Sequence, residues 1–334
     1  MKALVYDYEV PDKMTWNANH AVHEPGFGDI QVEVMAASVN PIDWKIPDVP
    51  GLARSRKETV LGTDFSGKIS RLGEGVTGLK VGDFVYGSTS HGTLGEFTVA
   101  KAKECAVIPN IAQMDVIEAA AYPTCAVTAL QGLKIAEVIG NPKAQKILIL
   151  GAAGGVGHFA VQMAAKCASA GNHIIAVCAK EHEEFVKGLG AKEILDYTKR
   201  GFDISHCVCD VDVVFDTVSH VGFDYEGLAK KCLKQGGKYV ATNSPNTMDW
   251  VRASVSKTIG INFQRAGYHL FLADINTSDL ATIATWVVQG KIKVHVSRKF
   301  EFSEKDCFDA IDLIKGTRMK GKVVVAIKQT EKRT

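Results

Sequence analysis

Residues 151–157 read Gly151-Ala152-Ala153-Gly154-Gly155-Val156-Gly157 and follow directly on the apolar run KILIL at 146–150. The spacing A-x-G-x-x-G at 152, 154 and 157 matches the dinucleotide fingerprint G-x-G-x-x-G except at its first glycine. Gly154 lets a backbone come close to a pyrophosphate. Gly157 lets helix and strand pack closely. Amides at the start of the following helix face the phosphates, where the helix dipole favours negative charge. Turns use glycine anyway, so the loop alone says little. Its strand–turn–helix setting, with further strand signals behind it, points to dinucleotide binding.

The next strand selects among dinucleotides. HIIAVC ends at Cys178, followed by Ala179 and Lys180. A site for the unphosphorylated cofactor puts Asp or Glu about 20 residues beyond the loop, on the ribose 2′-hydroxyl. No carboxylate stands at this strand tip, and Glu181 is expected to face solvent at the start of the next helix. A small residue and then a lysine suit a 2′-phosphate, and Tyr197, closing the third strand, offers a hydroxyl to the same group. NADPH is therefore expected over NADH. The alternative for Lys180 is an ordinary solvated lysine. Cys207 and Cys209, beside His206 and Asp210, have C-x-C spacing with no second pair at metal-site distance, and read as a loop.

These residues need a large scaffold. The chain has 334 residues, 46% hydrophobic and 23% charged, which implies globular structure and two domains. A formal charge of +2 gives no field to hold nucleic acid or an acidic membrane. Eight scattered cysteines suggest reduced thiols in a cytosol-like compartment, so a cytoplasmic location is expected. MKALVYDYEV alternates like a strand and does not resemble a secretory signal. Ile147–Ala165 carries no Asp, Glu, Lys or Arg for 19 residues, but its glycines, His158 and Gln162 argue for strand, turn and helix rather than a membrane span.

The first 110 residues read as short β segments with glycine at their turns, among them Ile30–Ser38, Gly67–Leu72, Asp83–Tyr86 and Phe97–Ala100. An Ala-rich helical stretch from Asp115 to Ala136 is interrupted by Pro123. From 146 onward strands alternate with helices: 173–179, 183–189, 193–197, 211–218, 225–233, 237–243, 249–257 and 261–263. Apolar strands alternating with helices imply an α/β fold with a parallel sheet covered on both faces. After about 265 a helix (278–289), a strand (291–297), a helix (304–314) and a strand (322–327) are too few to fold alone. They are expected to rejoin the N-terminal β domain, giving a substrate domain of 1–121 with 265–334 and a dinucleotide domain of 122–264.

Several motifs together carry a family resemblance that spans essentially the whole chain. They are Ser38-Val39-Asn40-Pro41-Ile42-Asp43-Trp44-Lys45, Leu61-Gly62-Thr63-Asp64-Phe65-Ser66-Gly67, Val81-Gly82-Asp83-Phe84-Val85-Tyr86-Gly87, Gly95-Glu96-Phe97, Thr128-Ala129-Leu130, the 151–157 loop, and Leu189-Gly190-Ala191 leading to Asp196-Tyr197. The chain resembles the medium-chain dehydrogenase/reductases, and more narrowly their zinc-free quinone oxidoreductase branch with its chloroplast-envelope homologues and alkenal or furanone reductases. The resemblance implies a GroES-like β-rich catalytic domain, a Rossmann doubly wound domain, NADPH, and a homodimer formed through the Rossmann sheet. It implies cofactor contacts from Thr128, Ala153, Gly154, Gly155, Val156, Gly157, Cys178, Lys180, Tyr197, Ser219, Asn243 and Lys322. Zinc-dependent relatives carry Cys where Asn40 stands and Gly-His-Glu where Gly62-Thr63-Asp64 stands, so zinc is not expected.

Without zinc, other groups must stabilise the oxygen that gains charge when hydride attacks a quinone or an α,β-unsaturated carbonyl. Asn40 could donate through its amide and Lys45 through its ammonium, and these two are the expected catalytic residues. Pro41 biases Asn40 towards an extended backbone. The structural alternatives are a loop-fixing hydrogen bond for Asn40, solvent exposure for Lys45 and a packing hydroxyl for Thr128. Asp43 either holds Lys45 or caps a turn. Tyr86, Tyr122 or water could supply the proton, and His91 is expected to be solvated at a loop tip. The competing reading is a family member that binds cofactor but serves a structural, RNA-binding or membrane-peripheral role; the intact loop, Asn40 and Lys45 favour the enzyme.

Overall fold

Short apolar runs punctuated by glycine give the N-terminal segment its strands. β1 (Ala3–Asp7) and β2 (Met14–Asn17) precede the long β3 (Asp29–Val39), which is almost wholly buried, with Asp29, Gln31 and Glu33 alternating on one face and Ile30, Val32 and Val34 on the other. Pro41 stops β3 and opens the short helix α1 (Pro41–Lys45), a position where its missing N–H and fixed φ suit a helix start. β4 (Glu58–Val60), β5 (Asp64–Leu72), β6 (Phe84–Ser88), β7 (Phe97–Lys101) and β8 (Cys105–Val107) follow. Helix α2 (Val116–Ala121) is capped by Asp115, whose side chain accepts from Ile117 N, and it ends at Tyr122 before Pro123 starts α3 (Pro123–Ile135). The structure, a computed structural model, describes residues 1–7, 14–45, 58–109, 114–207, 209–218, 225–244, 247–259, 267–316 and 319–328.

The alternating segment folds as read, with adjusted ends. β9 (Lys146–Leu150), α4 (Gly157–Lys166), β10 (His173–Cys178), α5 (Glu183–Leu189), β11 (Glu193–Asp196), α6 (Ile204–Cys207), β12 (Val211–Asp216), α7 (Tyr225–Lys230), β13 (Leu233–Ala241), α8 (Thr247–Ile259) and β14 (Tyr268–Leu270) run in succession. The six strands are parallel in the order β11-β10-β9-β12-β13-β14, so the chain winds outward from β9 in both directions. The core is Leu148, Leu150, Ile175, Val177, Val214 and Tyr239 with their neighbours. The expected helix 225–233 stops at Lys230, because Leu233 is taken up in register with Val211 on β12. The expected strand 261–263 lies outside the described residues.

α9 (Thr277–Val288), β15 (Val296–Glu301), α10 (Glu304–Lys315) and β16 (Lys322–Ala326) complete the chain. β16 lies antiparallel to β3 and parallel to β15, within a seven-stranded sheet that also holds β5, β6, β7 and β8. The strand expected at 291–297 sits further on, at 296–301, because pairing with β16 rather than local alternation sets its bounds. Two units result: Met1–Thr124 with Ile275–Thr334, and Cys125–Asp274.

Candidate active site and cofactor loop

In the first unit the end of β3, the start of α1, the start of β5 and the start of β16 bring together a buried polar cluster. Asn40 is 2% exposed, and its Nδ2 donates to Asp64 Oδ2 at 2.9 Å and to Thr63 Oγ1 at 3.2 Å. Its Oδ1 accepts from the ammonium of Lys322, which is also 2% exposed. The other carboxylate oxygen of Asp64 accepts from Thr124 Oγ1 at 2.5 Å and Thr124 N at 3.0 Å, so the start of α3 pins it. Asp43, the third residue of α1, reaches back to accept from Asn40 N at 2.7 Å, as a capping side chain does. That settles its role as a turn cap. Burial pushes the Asp43 carboxyl up to about 7, aided by the neighbouring Asp64 and opposed by its hydrogen bonds and by Lys322. Burial also raises Asp64, against the pull of Lys322 and Thr124.

Asn40 thus spends its amide on the protein, and the longer of its two donor contacts is the one to Thr63. Thr63 is half-buried, and Lys45 is exposed with its ammonium 5.5 Å from the Trp44 ring centre. Lys322, expected among the cofactor contacts, carries its ammonium into this cluster. Tyr86 and Tyr122 are buried: Tyr86 donates to Leu280 O at 3.0 Å and Tyr122 to Met114 Sδ at 3.0 Å.

At the positions that the family resemblance assigns to metal ligands stand an amide, a hydroxyl and a carboxylate, and an ammonium lies among them. Such a donor set does not fit zinc, which takes thiolate, imidazole and carboxylate ligands and gains nothing beside a buried cation. Among the described residues no group of three His, Cys, Asp or Glu is placed to hold a metal.

In the second unit the carboxyl ends of the parallel strands gather most of the described residues expected to contact a cofactor. Gly151 follows β9 with φ +73°, and a Cβ there would meet Val218 Cγ2 at 2.6 Å and Thr217 Oγ1 at 2.7 Å. A Cβ on Gly157 would lie 2.1 Å from Gly151 O and 2.8 Å from Ala152 Cα, both backbone atoms. Only glycine fits at either end of this loop, and α4 starts at its last residue. Gly154, Gly155 and Val156 are half-buried at the helix start, with Ala153 buried beneath. This bare backbone at a helix N-terminus fits a pyrophosphate. His158, fully buried, folds its Nδ1 back to within 2.9 Å of Gly154 O and so braces the loop from inside.

Cys178 and Asp196 are register partners on β10 and β11, which sets Lys180 and Tyr197 at adjacent strand ends. Asp196 ties Lys180 to the residue after Tyr197: it accepts from Lys180 N at 3.1 Å, Thr198 N at 2.9 Å and Thr198 Oγ1 at 2.6 Å. These bonds hold its carboxyl below the usual range. Lys180 is exposed and its ammonium pairs with Glu183, a residue that sequence reasoning passes over in favour of Glu181. Tyr197 is exposed, Thr128 is buried on α3, and Asn243 is half-buried two residues past β13. Ser219 lies outside the described residues. Asp216, at the end of β12, accepts from Val218 N at 2.8 Å and Tyr239 Oη at 2.6 Å, fixing the segment that packs on Gly151. Sequence reasoning reads it only as strand; an acid closing an apolar strand beside the loop is the available signal.

Residues 26–110 match the alcohol dehydrogenase GroES-like domain, and residues 189–325 match the zinc-binding dehydrogenase family. The chloroplast envelope quinone oxidoreductase homolog of Arabidopsis thaliana is 34% identical, over 85% of this chain and 86% of its own length. The NADPH-dependent alkenal/one oxidoreductase, chloroplastic, of the same plant is 31% identical over 97% of this chain and 79% of its own. The solved quinone oxidoreductase of Coxiella burnetii is 28% identical, superposes with a TM-score of 0.81, and covers 98% of this chain and 99% of its own.

Proposed function

The chain belongs to the medium-chain dehydrogenase/reductase superfamily, and from that premise we propose that it is an NADPH-dependent oxidoreductase that reduces a quinone or an α,β-unsaturated carbonyl without zinc. The carrying observation is the buried cluster around Asn40, whose amide lies among the Thr63 hydroxyl, the Asp64 carboxylate and the Lys322 ammonium, a donor set that does not fit zinc. The names of the two Arabidopsis relatives support the substrate class, and one supports NADPH.

NADPH, when bound, supplies the hydride. The 151–157 backbone and the α4 dipole would hold its pyrophosphate, Lys180 and Tyr197 would read the 2′-phosphate, and Thr128, Cys178 and Asn243 would line the rest of the cofactor. The reacting oxygen gains negative charge as hydride arrives at the substrate. Asn40 Nδ2 donates to that oxygen with the hydrogen otherwise directed at Thr63 Oγ1, 3.2 Å away, while its bond to Asp64 holds the amide still. Lys45, exposed on α1, adds an ammonium to the same charge. Tyr86 and Tyr122 give their hydroxyls to protein acceptors, which favours water as the proton source. A cytoplasmic, reducing compartment and a homodimer complete the reading.

The test is NADPH consumption, followed by its absorbance, against a panel of quinones, alkenals and furanones. Turnover with at least one class, and slower turnover with NADH, is expected. An intact protein that binds NADPH and turns over no acceptor would return it to a non-catalytic role.

A further inference from the structure

Lys322 opens β16, a strand buried along its whole length, and its side chain is carried inward with it. A buried ammonium must find acceptors. This one finds Asn40 Oδ1 and Val39 O, the latter at 3.4 Å, with Asp64 Oδ2 at 3.9 Å. An ammonium has no acceptor atom, and a carboxylate has no donor. The amide of Asn40 lies between them, so only one of its two orientations satisfies both: Oδ1 to Lys322, Nδ2 to Asp64 and Thr63. With the amide reversed, Nδ2 would face the ammonium and Oδ1 the carboxylate, in the middle of a buried cluster.

We propose that Lys322 is a positioning residue for the reduction, locking Asn40 with its Nδ2 presented as donor and polarising the amide so that this donor strengthens as charge grows on the substrate oxygen. The proposal rests on the donor role given to Asn40 above. It differs from a direct contact between Lys322 and the cofactor, and from a purely structural role as counter-ion to Asp64. The three roles separate experimentally. A cofactor contact would weaken NADPH binding. A counter-ion would act whether or not residue 40 is Asn. A lock on Asn40 acts only through Asn40.

The experiment is a double-mutant cycle on the full chain. Wild type, Lys322→Met, Lys322→Gln, Asn40→Ala and the two double variants are compared in thermal stability, NADPH Kd by fluorescence titration, and kcat and KM for one acceptor. Lys322→Met should lower kcat by about a hundredfold, the scale of one misdirected donor, with NADPH Kd unchanged. Lys322→Gln keeps a donor towards Asn40 Oδ1 without the charge, and should retain about ten times the kcat of the Met variant. In the Asn40→Ala background neither substitution should slow the enzyme further, since the shared step is already lost. If Lys322→Met does not fold, the Gln cycle alone decides: a loss when Asn40 is present and none in the Asn40→Ala background. Equal losses in both backgrounds, unchanged kcat, or a tenfold rise in NADPH Kd with kcat held would overturn the role of Lys322 while leaving the reductase reading intact. A folded wild type that reduces no acceptor would overturn the reductase reading, and this proposal with it.

Discussion

Lys180 and Asp43 show how differently single residues reveal themselves. The role proposed for Lys180 rests on a carboxylate missing at the strand tip, an absence that can be read at a fixed spacing. Its partner Glu183 cannot be read that way, because an i,i+3 ion pair depends on which way the turn after β10 closes. The side chain is exposed, so its worth is reduced by solvent and by Glu183. Lys180→Ala should raise NADPH Kd by about tenfold and leave NADH nearly unchanged. Paired titrations of both cofactors check it, and equal losses for the two would refute phosphate reading. Asp43 leaves two roles open in sequence, and only the 2.7 Å bond from Asn40 N decides between them. Its carboxyl lies near 7 when folded against an ordinary value of 3.8, so the folded state holds a proton that the unfolded state has lost. Folding therefore binds protons, and this group's contribution to stability falls as pH rises from about 4 to about 7. Asp43→Asn removes that dependence. The melting temperature of the variant should gain on wild type across this window and run parallel above it; a constant difference would show that Asp43 titrates normally.

Elements are legible where their determinants are local. KILIL followed by glycines specifies β9, its loop and α4, and the helix 183–189 is found at the residues expected. The ends of α7 and β15 depart from expectation, because pairing with a distant strand decides them: Leu233 with Val211, and Val296 with Lys322. The polar cluster is half legible for the same reason. The motif at 38–45 announces Asn40, but Lys322 reaches it only through antiparallel pairing of β16 with β3 across a long stretch of chain. The loop makes the sharpest prediction at this scale. Gly157→Ala puts a methyl 2.1 Å from the carbonyl oxygen of Gly151, while Gly154→Ala meets that atom at 3.3 Å. Overpacking against backbone costs about 1–3 kcal/mol or more. Gly157→Ala should therefore lose both stability and NADPH binding, and Gly154→Ala should keep the fold and lose affinity more mildly. Melting curves with and without NADPH separate the two; equal behaviour would mean the loop tolerates side chains at its helix end.

For the whole molecule, a formal charge of +2 gives no overall field that would draw nucleic acid. Among the described residues no helix is long and apolar enough to cross a membrane. What composition cannot supply is the internal charge balance of the first unit. Two carboxylates and one ammonium are buried together, and the ammonium comes from the last strand of the chain. That arrangement is the basis for expecting hydride chemistry without a metal. The most direct test is the rate of NADPH oxidation driven by an alkenal or quinone in protein exhaustively treated with a zinc chelator. The account predicts an unchanged rate, with no zinc bound in stoichiometric amount before treatment. Loss of turnover on chelation, restored by adding zinc, would contradict it.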